Sequence, residues 1–272
     1  MISRAVRHYL LALQFFTRIP VTGRLADWVG YSPAMLRASA AHYPGVGCLI
    51  GALTAGVFAL SLVALPDVGA TAWVAAVLST VAGVLLTGAF HEDGLADTAD
   101  GLGGGLTRER ALDIMKDSRI GTYGTLALVL ALLTKVSLLA MVAEVAPLLA
   151  VLGLFGGHVV SRLMPMVVIR TMVHVGDTAR SKSKPLADQL SNRGLAAGLV
   201  WTALGLVPLA LLAPGLHWVA AVAGAALGLG IVARLLHRRL RGFTGDGLGA
   251  TQQVSELGFL LGLLLALGLL PA

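Results

Sequence analysis

The chain reads as an all-α integral membrane protein: a helical bundle of about seven transmembrane helices, preceded by one N-terminal interfacial helix. Three observations carry that expectation. The composition is 57% hydrophobic and only 12% charged, with a mean hydropathy of +0.84, whereas a soluble domain carries roughly 25% charged residues. Stretches with almost no charge recur along all 272 residues, and most approach the ~20 residues needed to cross ~30 Å of hydrocarbon. Lys and Arg gather in every second connection between these stretches, the asymmetry that marks cytoplasmic loops.

Residues 1–19 suit an amphipathic helix at the membrane surface that ends near Pro20, rather than a cleavable signal. Spans then follow at about 46–66, 70–90, 122–143, 147–169, 195–213, 217–233 and 254–270. The last is short and barely qualifies, so it is expected to tilt, to thin the bilayer or to re-enter. Glycines spaced through the first span (Gly45, Gly47, Gly51, Gly56) fit close helix packing. The single cysteine, Cys48, excludes an internal disulfide framework and reads as a small buried hydrophobe. No internal repeat is evident, which argues against an inverted-repeat transporter. The whole of 1–272 is read as one membrane domain.

With the N-terminus in the cytoplasm, every basic cluster falls on that side. Arg4, Arg7, Arg18, Arg24 and Arg37 precede the first span, and Arg108, Arg110, Lys116 and Arg119 follow the second. Connections near 67–69, 144–146 and 214–216 hold Asp67 and Glu144 and neither Lys nor Arg. The net charge of +6 therefore sets topology and favours anionic lipid or substrate; it needs no nucleic acid. The cytoplasmic connections are also the long polar ones, so active-site loops are expected at 91–121, 170–194 and 237–256.

The sharpest motif is HEDGLADTADG, residues 91–101. Asp93, Asp97 and Asp100 sit at i, i+4 and i+7, so a helix projects all three carboxylates from one face. Like charges so placed repel, and a divalent cation with a preference for oxygen ligands, Mg²⁺, is expected to hold them. His91 is a candidate for orienting a carboxylate or accepting a proton. Residues 108–117 suit a second helix carrying Arg110, Asp113, Lys116 and Asp117, folded back over the first through the glycines at 101–105. Asp117 would then join the metal ligands, while Arg110, Lys116 and Arg119 would take phosphate charge. Gly121, in SRIGTYG, stands at a helix start whose free N–H groups suit an anion.

Lys135 and Arg162 fall inside apolar spans, where a charge faces a cavity or a partner. Arg162 reads as a substrate or carboxylate contact; for Lys135 a substrate contact and a structural ion pair both stay open. Lys182 and Lys184 are weaker phosphate candidates. Asp246, between glycines in GFTGDGLGATQQVSE, is a further substrate-binding candidate, with Gln252 and Glu256 following at helical spacing. Neither a Walker motif nor a GxGxxG fingerprint occurs.

The chain resembles the cobalamin synthase family, also called adenosylcobinamide-GDP ribazoletransferase. The resemblance rests on QFFTRIP (14–20), PGVG (44–47), HEDGLADTADG (91–101), ALDIMKDSRIGTYG (111–124), VSR (160–162) and TGDGLGATQQVSELGFL (244–260), in that order. It implies Mg²⁺-dependent transfer of the adenosylcobinamide phosphoryl group from adenosylcobinamide-GDP to a 5′-region hydroxyl of α-ribazole or its 5′-phosphate, with release of GMP. It also implies a multi-pass protein of the bacterial inner membrane with its site facing the cytoplasm. Homo-oligomerisation or association with other cobalamin-assembly enzymes is compatible with it. A corrinoid transporter and a structural membrane subunit are the competing classes, and neither gives three facing aspartates a purpose.

Overall fold

The computed structural model describes residues 2–176 and 190–269, and among these the protein is helical throughout. α1 (Ile2–Phe16) buries Leu11, Leu13 and Phe16 and leaves its first residues exposed, as an interfacial helix should. Two short helices that hydropathy did not announce follow, α2 (Gly23–Val29) and α3 (Pro33–Ser39). Ser32 caps the second of them by accepting the Met35 N–H at 3.1 Å.

The bundle itself comprises α4 (Tyr43–Ala64), α5 (Thr71–Thr87), α8 (Thr122–Val145), α9 (Pro147–Thr171), α10 (Asn192–Leu212), α11 (His217–Leu240) and α12 (Gly245–Leu269). Six segments are long and apolar enough to cross a membrane alone; α5 supplies a seventh together with α6 (Phe90–Gly104), from which it is bent by 89°. α9 is the central helix, buried along nearly its whole length, while the other spans keep lipid-facing sides. The short connections near 65–70, 146 and 213–216 lie at one end of the bundle. The HEDGLADTADG helix and the α11–α12 turn lie at the other.

The bend between α5 and α6 comes from two consecutive left-handed residues, Gly88 (φ 64°) and Ala89 (φ 58°). A corner of that kind turns α6 across the end of the bundle instead of letting it continue through the membrane. α7 (Arg108–Ile114) then folds back on α6. A parallel bridge between His174 and Phe243 ties the chain leaving α9 to the α11–α12 turn.

The last span differs from expectation. The polar stretch from Gly245 to Glu256 is not a loop before a short span; it is the first half of α12, which runs for 25 residues. Its Gln and Glu side chains face partners inside the bundle rather than lipid, so hydropathy alone misplaces its start. The expected loop 237–256 is thus the end of α11, a short turn and the beginning of α12.

α6 and α12 touch backbone to backbone at Gly94 and Gly249. A Cβ at Gly94 would lie 2.8 Å from the Asp246 carbonyl oxygen and 3.2 Å from the Gly249 Cα. Gly94→Ala should therefore destabilise the protein by roughly 1–3 kcal/mol, the usual range for overpacking. Gly56→Ala, inside α4 with nothing within 4 Å, should leave stability unchanged or slightly raised. Thermal unfolding of both variants in detergent checks this, and equal melting temperatures would contradict the close crossing.

Candidate active site

Three carboxylates meet where α6 crosses the start of α12: Asp93 and Asp97 from α6 and Asp246 from α12. Asp93 is exposed and Asp97 half-buried. The Asp97 carboxyl is pushed up from 3.8 to about 7, by burial first and then by the charges of Asp246, Asp93 and Asp100. Burial and neighbouring like charges act on it in the same direction, both disfavouring the charged form. Among the described residues, no three His, Cys, Asp or Glu side chains are drawn into a ready-made metal cage. An open set of carboxylates instead suits Mg²⁺, which keeps waters and is completed by substrate phosphates.

Asp100 has a different task. Its carboxylate accepts the N–H of Gly121 at 2.7 Å and of Gly124 at 2.8 Å, at the start of α8. The helix start that invited an external phosphate is thus served by the protein's own acid. Gly121 and Gly124 are glycines because a Cβ on either would collide with that carboxylate. Asp100 is a clamp between α6 and α8 and is turned to that clamp rather than to Asp246.

α7 does fold back over α6, but it presents Ala111 and Met115, which pack against Gly101. Its acids consequently point away. Asp113 pairs with Lys116 at 3.8 Å. Asp117 is gripped by Arg119, whose Nη2 lies 2.6 Å from one carboxylate oxygen and whose Nε donates to both. The Arg119 guanidinium holds the Asp117 carboxyl down at about 2. Of the acids on and just after the two helices, Asp93, Asp97, Asp100, Asp113 and Asp117, only Asp93 and Asp97 thus stay together, joined by Asp246, while Asp117 and Arg119 serve each other. Arg110 is exposed on the outer side of α7.

His91 stands on the opposite side of α6 from Asp93 and Asp97. It stacks on Phe16, with centroids 6.1 Å apart and rings 18° from parallel. Burial, and then the Arg162 charge, hold it well below 6.5, so the ring is neutral. It shares a mostly apolar cavity with Phe15, Tyr43, Phe90, Arg162 and Gln252. Arg162 donates through Nη1 to the His158 carbonyl at 2.9 Å, and its buried Nε has no partner. Its guanidinium has no carboxylate within ion-pair distance among the described residues.

Lys135 resolves as an ion pair. Its Nζ lies 2.6 Å from Glu256 Oε1, with both side chains almost wholly buried. Gln252 donates to Glu256 Oε2 at 2.7 Å and to Ser161 at 2.9 Å, and Gln253 donates to Glu92 at 3.1 Å. Sequence reasoning missed two arginines that tie α6 and α7 to the end of α11: Arg239 donates to the Leu102 carbonyl of α6 at 2.8 Å and also to that of Gly105, and Arg108 of α7 donates to the Leu240 carbonyl at 2.7 Å. Their signal was only that cations suit helix C-termini. Lys182, Lys184 and most of the 170–194 loop lie outside the described residues.

Fold and site together define a polytopic membrane protein with an open carboxylate centre where a re-directed helix crosses the end of its bundle. The chain belongs to the cobalamin-5-phosphate synthase family, whose profile matches residues 8–264. It is 56% identical to an adenosylcobinamide-GDP ribazoletransferase of Albidiferax ferrireducens, across 97% of this chain and 100% of that one. It is 57% identical to the enzyme of that name from Polaromonas naphthalenivorans, over 96% and 99% of the two chains. A counterpart from Leptothrix cholodnii is 45% identical over 94% of each. No solved structure matches the chain.

Two outcomes follow from the geometry. Between 3.8 and about 7 the folded protein binds more protons at Asp97 than the unfolded chain does, so its stability falls as pH rises through that window. In divalent-free buffer the melting temperature should decline over this range, and Asp97→Asn should flatten the decline; an unchanged slope would contradict the cluster. Asp100→Ala should destabilise by about 2–3 kcal/mol, by stranding two backbone N–H groups. Asp93→Ala, at an exposed side chain, should stay within about 0.5 kcal/mol, as denaturant or thermal unfolding would show.

Proposed function

We propose that this protein transfers the adenosylcobinamide phosphoryl group from adenosylcobinamide-GDP to α-ribazole or α-ribazole 5′-phosphate. GMP is released and adenosylcobalamin or its 5′-phosphate is formed, at the cytoplasmic face of the bacterial inner membrane. The reading is carried by the meeting of Asp93, Asp97 and Asp246 in a chain of this family. The bond formed joins a ribose hydroxyl oxygen to the phosphorus that bears the cobinamide. The bond broken joins that phosphorus to the GMP oxygen. With a 5′-phosphorylated acceptor the 5′ oxygen is already esterified, so another ribose hydroxyl makes the new bond.

Asp93, Asp97 and Asp246 fit Mg²⁺ as an all-oxygen donor set with unrelieved negative charge. When bound, the ion supplies charge neutralisation for the diphosphate and the departing GMP. The protein's own part is to hold these carboxylates at a surface open to substrate, with α6 fixed by α8, α11 and α12. Neutral His91 can accept a proton but adds no positive charge. Arg162, buried in the same cavity with no carboxylate at ion-pair distance among the described residues, is the cation that lines it with that ring.

Purified protein in lipid or detergent should release GMP from adenosylcobinamide-GDP only with an acceptor and Mg²⁺ present, in step with a cobalamin product. Asp93→Asn and Asp97→Asn should each lower the rate at least 10²-fold, the scale set by losing a metal-held charge at a reacting phosphate. Insertion and helix content should be unaffected. Near wild-type rates in both variants would overturn the assignment of the site.

A further inference from the structure

A second polar feature opens at the same end of the bundle. α1, α3 and the start of α10 enclose a groove of about 790 Å³. Arg4, Arg37 and Arg193 line it, one from each helix, together with His8 and His42. Among the described residues, no acidic side chain lies on its walls. None of the three guanidinium groups has an ion-pair or hydrogen-bond partner among the described residues. His8, in α1, is lowered by burial and by the charges of Arg4 and Arg7, so the groove has a positive potential.

The imidazole of His42 is set from behind. Trp201 Nε1 donates to His42 Nδ1 at 3.0 Å, which leaves the neutral ring its proton on Nε2, a hydrogen-bond donor. Tyr9 stacks on Trp201 at 5.6 Å and stiffens that support. The floor is made of alanines from all three helices with Leu190. Three fixed cations around one concavity repel until an anion enters. A phosphate ester is tetrahedral and presents two or three terminal oxygens splayed in three dimensions, to guanidinium groups that come from three separate helices, whereas a carboxylate's two lie in one plane. The volume and the apolar floor leave room for a larger body attached to it.

This groove is not part of the carboxylate centre. Arg4 and Phe16 are at opposite ends of α1, about 18 Å apart at ~1.5 Å per residue, and it is Phe16 that packs on His91. We propose that the groove is a separate binding site for a phosphate ester, supplied either by the headgroup of an anionic phospholipid or by a soluble phosphomonoester. The proposal does not depend on the reaction assigned to Asp93, Asp97 and Asp246.

Two probes separate the sources. Native mass spectrometry of the full chain would follow phosphatidylglycerol against phosphatidylcholine, and equilibrium dialysis in EDTA would follow GMP against guanosine. At least one phosphorylated probe should bind wild type and Asp97→Asn alike, and should bind the Arg37→Gln/Arg193→Gln variant about tenfold more weakly. Retention of phosphatidylglycerol identifies a lipid site, and retention of GMP a soluble-ester site. Arg193→Gln alone changes an exposed side chain and should show a loss in the same direction should the double variant not fold. Binding no better than the controls, or unaltered in the arginine variants, would overturn the proposal.

Discussion

The contact between Gly94 and Gly249 sets the terms for the rest of the molecule. In lipid, helices gain little from burying apolar surface against one another, so close packing and polar contacts must hold them. α6 is a polar helix bent away from its span by 89°, and it carries two carboxylates toward a third. Mutual repulsion among these acids would drive α6 and α12 apart. Backbone contact at the two glycines resists that, because it maximises dispersion over a small area. Two further ties pin α6, Asp100 to the start of α8 and Arg239 from the end of α11, and Arg108 ties the neighbouring α7 to that same helix end.

α12 could not play its part without the polar chain through the bundle centre. Lys135 of α8, Glu256 and Gln252 of α12 and Ser161 of α9 form one connected set. Gln253 extends it to Glu92 of α6. Removing one member of a buried ion pair strands the other charge, typically at 3–5 kcal/mol. Such a set fixes the rotation and height of α8, α9 and α12 relative to one another. The register that puts Asp246 opposite Asp97 is thus decided two turns deeper in the membrane.

Six spans and the apolar half of the bent α5–α6 pair were legible because hydropathy and the distribution of Lys and Arg are properties of the chain itself. The start of α12 was not, because a scale that scores Gln252 and Glu256 as lipid-facing cannot register their buried partners. Asp93 and Asp97 stood out by spacing, and Asp246 by its glycines, yet their meeting depends on a helix crossing that has no local signature. Asp100 shares the face of Asp93 and Asp97, and periodicity alone cannot separate a ligand from a clamp. The clue lay in SRIGTYG, whose glycines make room for an internal carboxylate as readily as for an external anion. For 108–117, Ala111 and Met115 take the inner face of α7, which is why Asp113 and Asp117 settle with Lys116 and Arg119 outside. Lys135 was half legible: a charge in a span requires a partner, but not which one.

Helical geometry also explains why one motif yields two unlike chambers. At about 100° per residue, His91 projects opposite Asp93 and Asp97. α6 therefore separates an acidic surface from the cavity that holds His91 and Arg162. Arg162 interacts with Glu256 and Glu92 and is not among the charges that act on Asp97 or Asp246, so it does not neutralise these acids. A closer counter-charge would remove the very charge that draws a cation to the surface. With the arginine in the other chamber, Asp93, Asp97 and Asp246 stay short of a partner that must come from outside.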